Sequence, residues 1–186
     1  YTLWQGYIDG GTSATTTYYP SAPYADMNTA TQTSSLGANG FSATGSGDAI
    51  SLYLSNVEYS VFDITFSVAH DTAMTLSGKL EGLDRNGQYA HGNASIFLYQ
   101  GDNHLAANQL YGNSISVSLG IGGYDSTQIS YSALLSAGEY RMVAKADPHY
   151  DASSKFTLRA NFATVPVPAA VWLLGSGLLG LMGFMQ

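Results

Sequence analysis

Residues 49–163 alternate between hydrophobic and polar side chains with a period of two, which is the period of a β-strand. In residues 61–68, for example, Phe62, Ile64 and Phe66 fall on one side of an extended strand and polar residues fall on the other. One buried face and one solvated face are typical of antiparallel sheets. The same pattern recurs in residues 115–119, 140–145 and 156–162, and further strands are predicted near residues 2–8, 50–54, 72–80, 94–99 and 128–132.

Short glycine-containing segments between these strands predict turns, at residues 86–87, 101–103, 112–113, 122–123 and 137–138. About eight strands at this spacing predict a mainly β protein, an antiparallel β-sandwich of the jelly-roll kind, over residues 1–163. Within it, the serine- and threonine-rich residues 1–48 are expected to form a short strand and then long loops with one or two weak strands. Tyr140, two residues after Gly138, is expected to be a structural tyrosine at a corner of the sandwich.

The C-terminal residues 164–186 differ from the rest of the chain because they carry no charged side chain. Residues 164–168 are predicted to be a stiff hinge, since proline restricts both its own φ and the residue before it. Residues 169–186 are predicted to form a hydrophobic α-helix, and together with the hinge they are long enough to span a membrane. The residues of this helix that we expect to drive assembly are Val171, Trp172, Leu174, Ser176, Leu178, Gly180, Leu181, Gly183 and Met185, which fall on a stripe of small residues and a stripe of large apolar ones.

The strongest physical constraint in the sequence is that this apolar tail must be buried away from water. It holds about ten large apolar side chains, each stabilised by roughly 1.5–3 kcal/mol when buried. It must therefore enter lipid, dock on its own domain, or pack against copies of itself. The small residues Ser176 and Gly180 allow a neighbouring helix to approach closely, and no basic residue anchors the tail to a membrane surface. These features favour packing between copies, which forms a filament when the contact does not close on itself.

The tail resembles the PEP-CTERM protein-sorting signal of exopolysaccharide-producing Gram-negative bacteria. The resemblance rests on Val165, Pro166, Pro168 and Ala169, followed by Trp-Leu-Leu-Gly-Ser-Gly-Leu-Leu-Gly-Leu at residues 172–181. It implies secretion by a signal peptide, recognition by an exosortase at the membrane, and a role at the cell surface or in a biofilm matrix, often as a glycoprotein. The start at Tyr1 fits a removed signal peptide.

This chain departs from the PEP-CTERM pattern in two places. Val167 stands where the family has its name-giving glutamate, and the family's closing cluster of basic residues is replaced by an end at Gln186. Because basic residues normally hold the cytoplasmic end of a membrane helix, we expect either that the end was trimmed or that the tail is not retained in the membrane.

Several classes of function are excluded by composition. The chain has no cysteine, so disulfides and thiolate chemistry are absent. Its net charge is −7, with 6 basic residues that form no cluster, so nucleic acid is not an expected partner. No nucleophile motif, phosphate-binding loop or dinucleotide fingerprint stands in the β region, so we assign no catalytic or cofactor-binding residue and expect no enzyme activity.

Metal binding stays open in two places. Oxygen ligands for a structural Ca²⁺ are offered by Asp147, by Asp151 and by the pair Asp102-Asn103. A metal site is also conceivable if the fold brings residues 70–71 and 149–151 together, since both contain histidine and aspartate.

The leading functional hypothesis is a non-enzymatic, secreted structural protein that forms an extracellular homopolymer through its tail. The alternative is a carbohydrate-binding module, tethered to the envelope, that holds exopolysaccharide on exposed aromatic rings. The chain has 14 tyrosines and 2 tryptophans. The candidates for such stacking are Trp4, Tyr7, Tyr18, Tyr19, Tyr24, Tyr53, Tyr59, Tyr89, Tyr99, Tyr111, Tyr124, Tyr131 and Tyr150.

Deletion of residues 165–186 tests the structural hypothesis. We expect the shortened chain to be a soluble monomer, because the apolar surface that demands burial is gone. Light scattering coupled to size-exclusion chromatography measures this directly, with the full chain as the control. A shortened chain that polymerises as the full chain does would show that the tail is not the assembly element.

Overall fold

The computed structural model describes residues 5–7, 17–18, 29–37, 39–50, 59–85, 90–101, 105–117 and 122–164. These residues form eleven β-strands and a short 3-10 helix, Ala106–Asn108. The strands are β1 (Gln5–Tyr7), β2 (Thr17–Tyr18), β3 (Thr29–Gly37), β4 (Gly40–Ile50), β5 (Ser60–Val68), β6 (Thr72–Asp84), β7 (His91–Gln100), β8 (Gln109–Val117), β9 (Gly123–Leu135), β10 (Gly138–His149) and β11 (Asp151–Thr164).

The strands form two sheets. In the first, which we call sheet I, the order is β1-β5-β10-β7-β8, with β2 also paired to β5. In sheet II the order is β3-β4-β11-β6-β9. All pairs are antiparallel except β1 with β5. The predicted antiparallel β-sandwich is therefore confirmed.

The strand pairing is nested in the way that defines a jelly roll. Strand β4 pairs with β11, β5 with β10, β6 with β9, and β7 with β8. The chain from β4 to β11 thus behaves as one long hairpin that wraps into two layers. Strand β3 extends sheet II beyond β4, and the short β1 and β2 extend sheet I beyond β5.

The core lies between the sheets and contains the alternate residues that the sequence pattern selected. Phe62, Ile64 and Phe66 of β5 are at most 2% exposed. At one end of the sandwich, which we call the aromatic end, ring centroids lie 5.3–5.8 Å apart. Its rings belong to Phe41, Phe62, Phe66, Tyr140 and Phe162. Tilted and offset rings at these distances contribute more than their buried area alone.

At the opposite end, the glycine end, the two sheets approach until their backbones touch. A Cβ added to Gly92 of β7 would lie 2.6 Å from the carbonyl oxygen of Ser153 and 2.7 Å from the amide nitrogen of Leu83. Both of those atoms belong to sheet II, and the core here is made of small residues such as Ala94 and Ala152. The two sheets are therefore separated by aromatic rings at one end of the sandwich and are in backbone contact at Gly92 at the other.

Tyr140 fixes a corner of the aromatic end, as expected from its place near the start of a strand. Its hydroxyl donates a hydrogen bond to the carbonyl oxygen of Ser136, four residues earlier, at 2.8 Å. Its side chain is buried, and this desolvation raises the pKa of the hydroxyl above its ordinary value. The interpretation of Tyr140 as structural is confirmed.

The strands at residues 29–50 are longer than the weak strands that the composition indicated. Strands β3 and β4 contribute 9 and 11 residues to sheet II. The inward positions of β4 are filled by Phe41, Ala43 and Ala49, with glycines between them. Small inward residues give almost no hydrophobic alternation, although they pack well against the rings of the facing sheet.

Two local expectations change. The predicted turn at residues 112–113 is wrong, because both residues lie within β8. Gly112 serves instead to let the ring of Phe97 lie against the neighbouring strand, since a Cβ there would be 2.8 Å from the ring. Of the strand predicted near residues 50–54, only Ile50 is described, as the last residue of β4. The strand predicted near residues 2–8 corresponds to β1.

The predicted hinge and hydrophobic helix lie outside the described residues. This applies to the sorting-like residues Val165, Pro166, Pro168 and Ala169 and to all the predicted assembly residues from Val171 to Met185. In the part of the chain that the structure describes, no helix is long and apolar enough to cross a membrane.

Replacement of Gly92 by alanine tests the close approach of the two sheets at the glycine end. Because the added methyl group would meet backbone atoms that cannot rotate away, we expect Gly92→Ala to lower the free energy of unfolding by about 1–3 kcal/mol. Gly37→Ala is the matched control, since its nearest neighbouring atom would be 3.8 Å away. Urea denaturation measures both, and equal stabilities of the two variants would contradict the close approach.

Candidate functional site

The solvent face of sheet II is a continuous polar surface. Because side chains alternate along each strand, the residues next to the buried Leu80, Phe156 and Leu158 point outwards. The strand registers place these outward residues in rows across the sheet. The rows are Thr31-Ser46-Lys155-Glu81-Ser126, Thr33-Thr44-Thr157-Lys79-Gln128 and Ser35-Ser42-Arg159-Ser77-Ser130.

A cleft of about 400 Å³ opens on this face towards the glycine end. Strands β4, β11, β6 and β9 all contribute to it. Its side chains are Ser46, Asp48, Glu81, Leu83, Tyr124, Ser153, Ser154 and Lys155. The cleft therefore combines one aromatic ring, one aliphatic side chain, two carboxylates, an ammonium group and several hydroxyls.

Tyr124 is the aromatic residue that projects most from the described part of the chain, with 56% of its surface exposed. Its hydroxyl donates to Oε1 of Glu81 at 2.9 Å and lies 3.2 Å from Nζ of Lys79. Nζ of Lys79 also donates to the same Oε1 at 2.7 Å. These three contacts fix the rim of the ring while leaving much of its apolar body in solvent.

The contacts of the Lys79–Glu81–Tyr124 cluster shift the pKa values of its charged members apart. Hydrogen bonds from Lys79 and Tyr124 hold the pKa of the Glu81 carboxyl below its usual range. The hydrogen bond to Glu81, followed by that to Tyr124, raises the pKa of the Lys79 ammonium. Both groups are therefore charged at neutral pH.

Asp48, the other carboxylate of the cleft, is held by Arg85. The guanidinium donates from Nη1 to Oδ1 at 2.7 Å and from Nη2 to Oδ2 at 3.1 Å. This bidentate arrangement raises the pKa of Arg85, and Asp151 adds a weaker contact at 3.6 Å. The pair orients the Asp48 carboxylate, which lines the cleft.

A second, shallower cleft of about 600 Å³ lies on the same face at the aromatic end. Ser42, Arg159 and Asn161 supply its outward polar groups, and the guanidinium of Arg159 donates to Oδ1 of Asn161 at 3.2 Å. Strands β4 and β11 run through both clefts. The two clefts are therefore the ends of one polar track along the strand direction.

Of the aromatic residues named from the sequence, Tyr124 is the described one whose side chain is fully on the surface. Tyr99 is buried, and Tyr111 packs on Tyr131 with ring centroids 4.7 Å apart. The ring of Tyr59 lies 4.7 Å below Nζ of Lys145, and Tyr150 is half-buried. Outside the residues whose side chains are described are Trp4, Tyr7, Tyr18, Tyr19, Tyr24, Tyr53 and Tyr89.

The candidate metal ligands do not converge in the described part of the chain. Asp147 pairs with Lys145 at 2.6 Å, and Asp151 faces Arg85. Residues 70–71 and 149–151 lie at opposite ends of sheet I, because β10 starts beside the end of β5 and finishes beside His91. No group of three or more histidine, aspartate or glutamate side chains is close enough to hold a metal ion within the described ranges, and Asp102-Asn103 lies outside them.

Sequence reasoning identified Tyr124 as one of many tyrosines but did not single out Lys79, Glu81, Asp48 or Lys155. The available signal was the position of charged residues between buried ones, as in Lys79-Leu80-Glu81. That pattern places charges on a solvated face without indicating which strands lie next to each other.

The pH dependence of stability tests the Lys79–Glu81–Tyr124 cluster. Since the pKa of Glu81 is lowered in the folded state, its stabilising contribution is present above the pKa of an unfolded glutamate and is lost as the pH falls through the folded-state value. Glu81→Gln is expected to reduce the free energy of unfolding at neutral pH by up to about 1 kcal/mol and to flatten its loss in acid. Denaturant titrations over a pH series measure both effects.

Glu139→Gln, at an exposed position of β10, is the control for the loss of one negative charge. Parallel acid profiles of wild type and Glu81→Gln would show that the cluster does not form in solution.

No protein-family model and no curated protein sequence matches the chain. Solved structures match at low identity. The K3 cleaved adhesin domain of Lys-gingipain from Porphyromonas gingivalis W83 is 10% identical, with a TM-score of 0.30, over 65% of this chain and 74% of that one. TmCBM61, solved with β-1,4-galactotriose, is 6% identical, with a TM-score of 0.34, over 75% of this chain and 90% of that one. A structure from work on promiscuous carbohydrate-binding modules of the β-sandwich superfamily is 12% identical, with a TM-score of 0.31, over 81% of this chain and 56% of that one. None of these similarities assigns a function to this chain.

Proposed function

We propose that this protein binds carbohydrate in the cleft on the solvent face of sheet II. The observation that carries the proposal is Tyr124, which is 56% exposed and whose hydroxyl is held by Glu81 and Lys79. An exposed ring with a fixed orientation, beside a row of polar side chains, is the combination that a sugar ring requires.

The chemistry of the cleft matches both sides of a pyranose. The C–H groups of a sugar form an apolar face that packs on an aromatic ring, as apolar groups do at other recognition sites. Its hydroxyls need acceptors and donors close by. Glu81 and Asp48 supply carboxylate oxygens, and Lys155 supplies an ammonium group.

The cleft is also organised before any ligand arrives. Its side chains stand on paired strands, and Asp48 and Tyr124 are each oriented by hydrogen bonds to a neighbouring strand or loop. Binding then immobilises few rotatable side chains, which lowers the entropic cost of association.

Binding without catalysis is the form of activity that the electrostatics support. Glycoside hydrolysis uses a pair of carboxyl groups, one of which must stay protonated and act as an acid. The pKa of Glu81 is shifted downwards, and Asp48 is clamped by a guanidinium group. The environment of Glu81 therefore does not favour a proton donor.

We also propose that the protein lies at the cell surface or outside the cell of a Gram-negative bacterium, because its tail resembles a signal that an exosortase recognises. Tail-driven assembly into a filament or matrix polymer stays a prediction that depends on residues 169–186. Carbohydrate binding and tail-driven assembly are compatible, because the cleft lies on the β-sandwich and the predicted assembly residues lie in the tail.

Tyr124→Ala is the direct test of carbohydrate binding. In affinity gel electrophoresis against a panel of neutral and acidic soluble polysaccharides, the full chain is expected to be retarded by at least one of them. Loss of the ring is expected to weaken that interaction by about 10-fold or more, the effect of removing a central aromatic contact. The free energy of unfolding should change by less than about 1 kcal/mol, because the residue is exposed.

Leu134→Ala is the matched control, since Leu134 is 61% exposed on the same strand and ten positions away from Tyr124. It should leave binding unchanged. Failure of every polysaccharide in the panel to retard the wild-type chain would refute the proposed function, as would equal retardation of wild type and Tyr124→Ala.

A further inference from the structure

The basic residues of the chain divide into two groups by their partners. The chain has 6 of them, and all lie in the described ranges. Four form ion pairs with carboxylates at 2.6–2.7 Å: Lys79 with Glu81, Arg85 with Asp48, Arg141 with Asp63, and Lys145 with Asp147. Within the described residues, Lys155 and Arg159 form no such ion pair.

Lys155 and Arg159 lie on one face of one strand, with Thr157 between them. Both project from β11, the central strand of sheet II, to the solvent side, and both are exposed. Four residues of extended chain separate them, which is about 13 Å at a rise of roughly 3.3 Å per residue. Lys155 lines the first cleft and Arg159 lines the second, so each end of the polar track carries one cation that forms no ion pair with a described carboxylate.

The carboxylates on this face lie towards the glycine end and are already matched by cations. Glu81 stands in the row of Lys155, where Lys79 binds it directly and Lys155 adds a weaker electrostatic contribution. In the two rows that follow towards the aromatic end, the partners of Thr157 and Arg159 are hydroxyl and amide side chains and Lys79. This part of the track therefore presents positive charge and hydroxyl groups with no carboxylate among them.

The position of these cations contrasts with the charge of the whole chain. A net charge of −7 repels anions at long range, whereas local cations attract them within about one Debye length, roughly 10 Å at moderate salt. On the outer face of sheet I, the cations Arg141 and Lys145 are neutralised by Asp63 and Asp147. An anionic ligand is thus directed to the track on sheet II.

We infer that the ligand of this track is an anionic polysaccharide, whose carboxylate or sulfate groups pair with Lys155 and Arg159 while one of its sugar rings packs on Tyr124. The inference rests on the proposed carbohydrate-binding function and adds the charge of the ligand and its direction, along β11. A neutral polysaccharide would form no ion pair with either cation and would gain only the hydrogen bonds and the ring contact of the first cleft.

The test compares two forms of one polysaccharide, whose carboxylates are either free and charged or methyl-esterified and neutral. Polygalacturonate carries a carboxylate on each sugar, and its fully methyl-esterified form carries none. Affinities of the full chain for both polymers are measured by isothermal titration calorimetry at low and high salt. Wild type is expected to bind polygalacturonate more tightly, and only that affinity should fall as salt rises, because salt screens exposed ion pairs.

Charge-removing variants locate the interaction. Lys155→Gln and Arg159→Gln are each expected to weaken the binding of polygalacturonate by roughly 2–5-fold, the effect of one exposed ion pair. Arg159→Gln, which lies outside the first cleft, is expected to leave binding of the esterified polymer unchanged. Lys145→Gln is the matched control, since it removes the same charge from the opposite face of the sandwich. It should leave both affinities unchanged.

The outcomes separate this inference from the function on which it rests. Equal affinity for the two polymers, or equal effects of Lys155→Gln and Lys145→Gln, would overturn the inference that the ligand is anionic. Carbohydrate binding itself would still be supported if Tyr124→Ala weakened it. Absence of binding to both polymers, together with binding of a neutral polysaccharide from the panel, would likewise reject the anionic ligand alone. Absence of binding to all of them would reject the proposed function itself.

Discussion

The contact between the inner faces of the two sheets is the constraint on which the other features depend. Rings of Phe41, Phe66 and Phe162 separate the sheets at the aromatic end, and backbone contact at Gly92 joins them at the glycine end. Once the inner residues of a strand are committed to this core, every second residue must point to solvent. The polar track on sheet II is the outward half of that alternation.

The track owes its character to strand pairing. Lys79 and Glu81 are two positions apart on β6 and would meet in any extended strand, but Tyr124 reaches them only because β9 pairs with β6 in one register. A shift of that register by one residue would turn Tyr124 towards the core and remove the ring from the surface. The site and the fold are therefore stabilised by the same set of backbone hydrogen bonds.

Charge is distributed over the molecule with few uncompensated cations. Arg141 and Lys145 on sheet I, like Arg85 and Lys79 on sheet II, each face a carboxylate within 2.7 Å. Pairs of this kind neutralise the surface locally and contribute little net stability where they are exposed. Lys155 and Arg159 differ from these residues because they form no ion pair with a carboxylate in the described structure. Both lie on β11, so the track runs along that strand.

The alternation of residues by itself determined the class of fold and the identity of most core residues, because a half-buried strand leaves a period of two in the chain. It determined the strands that contain Phe62, Ile96, Met142 and Phe156, and it placed Tyr140 at a corner. It indicated only one or two weak strands before residue 49 and did not give the bounds of β3 and β4, since strands whose inner positions are alanine and glycine show little hydrophobic contrast. Only the tertiary structure decided that Tyr124, Glu81 and Asp48 share a cleft and that two cations on β11 form no ion pair within the described residues. The physical reason is that these residues come from strands far apart in sequence, and the pairing of such strands is selected by the packing of the whole sandwich rather than by any local pattern.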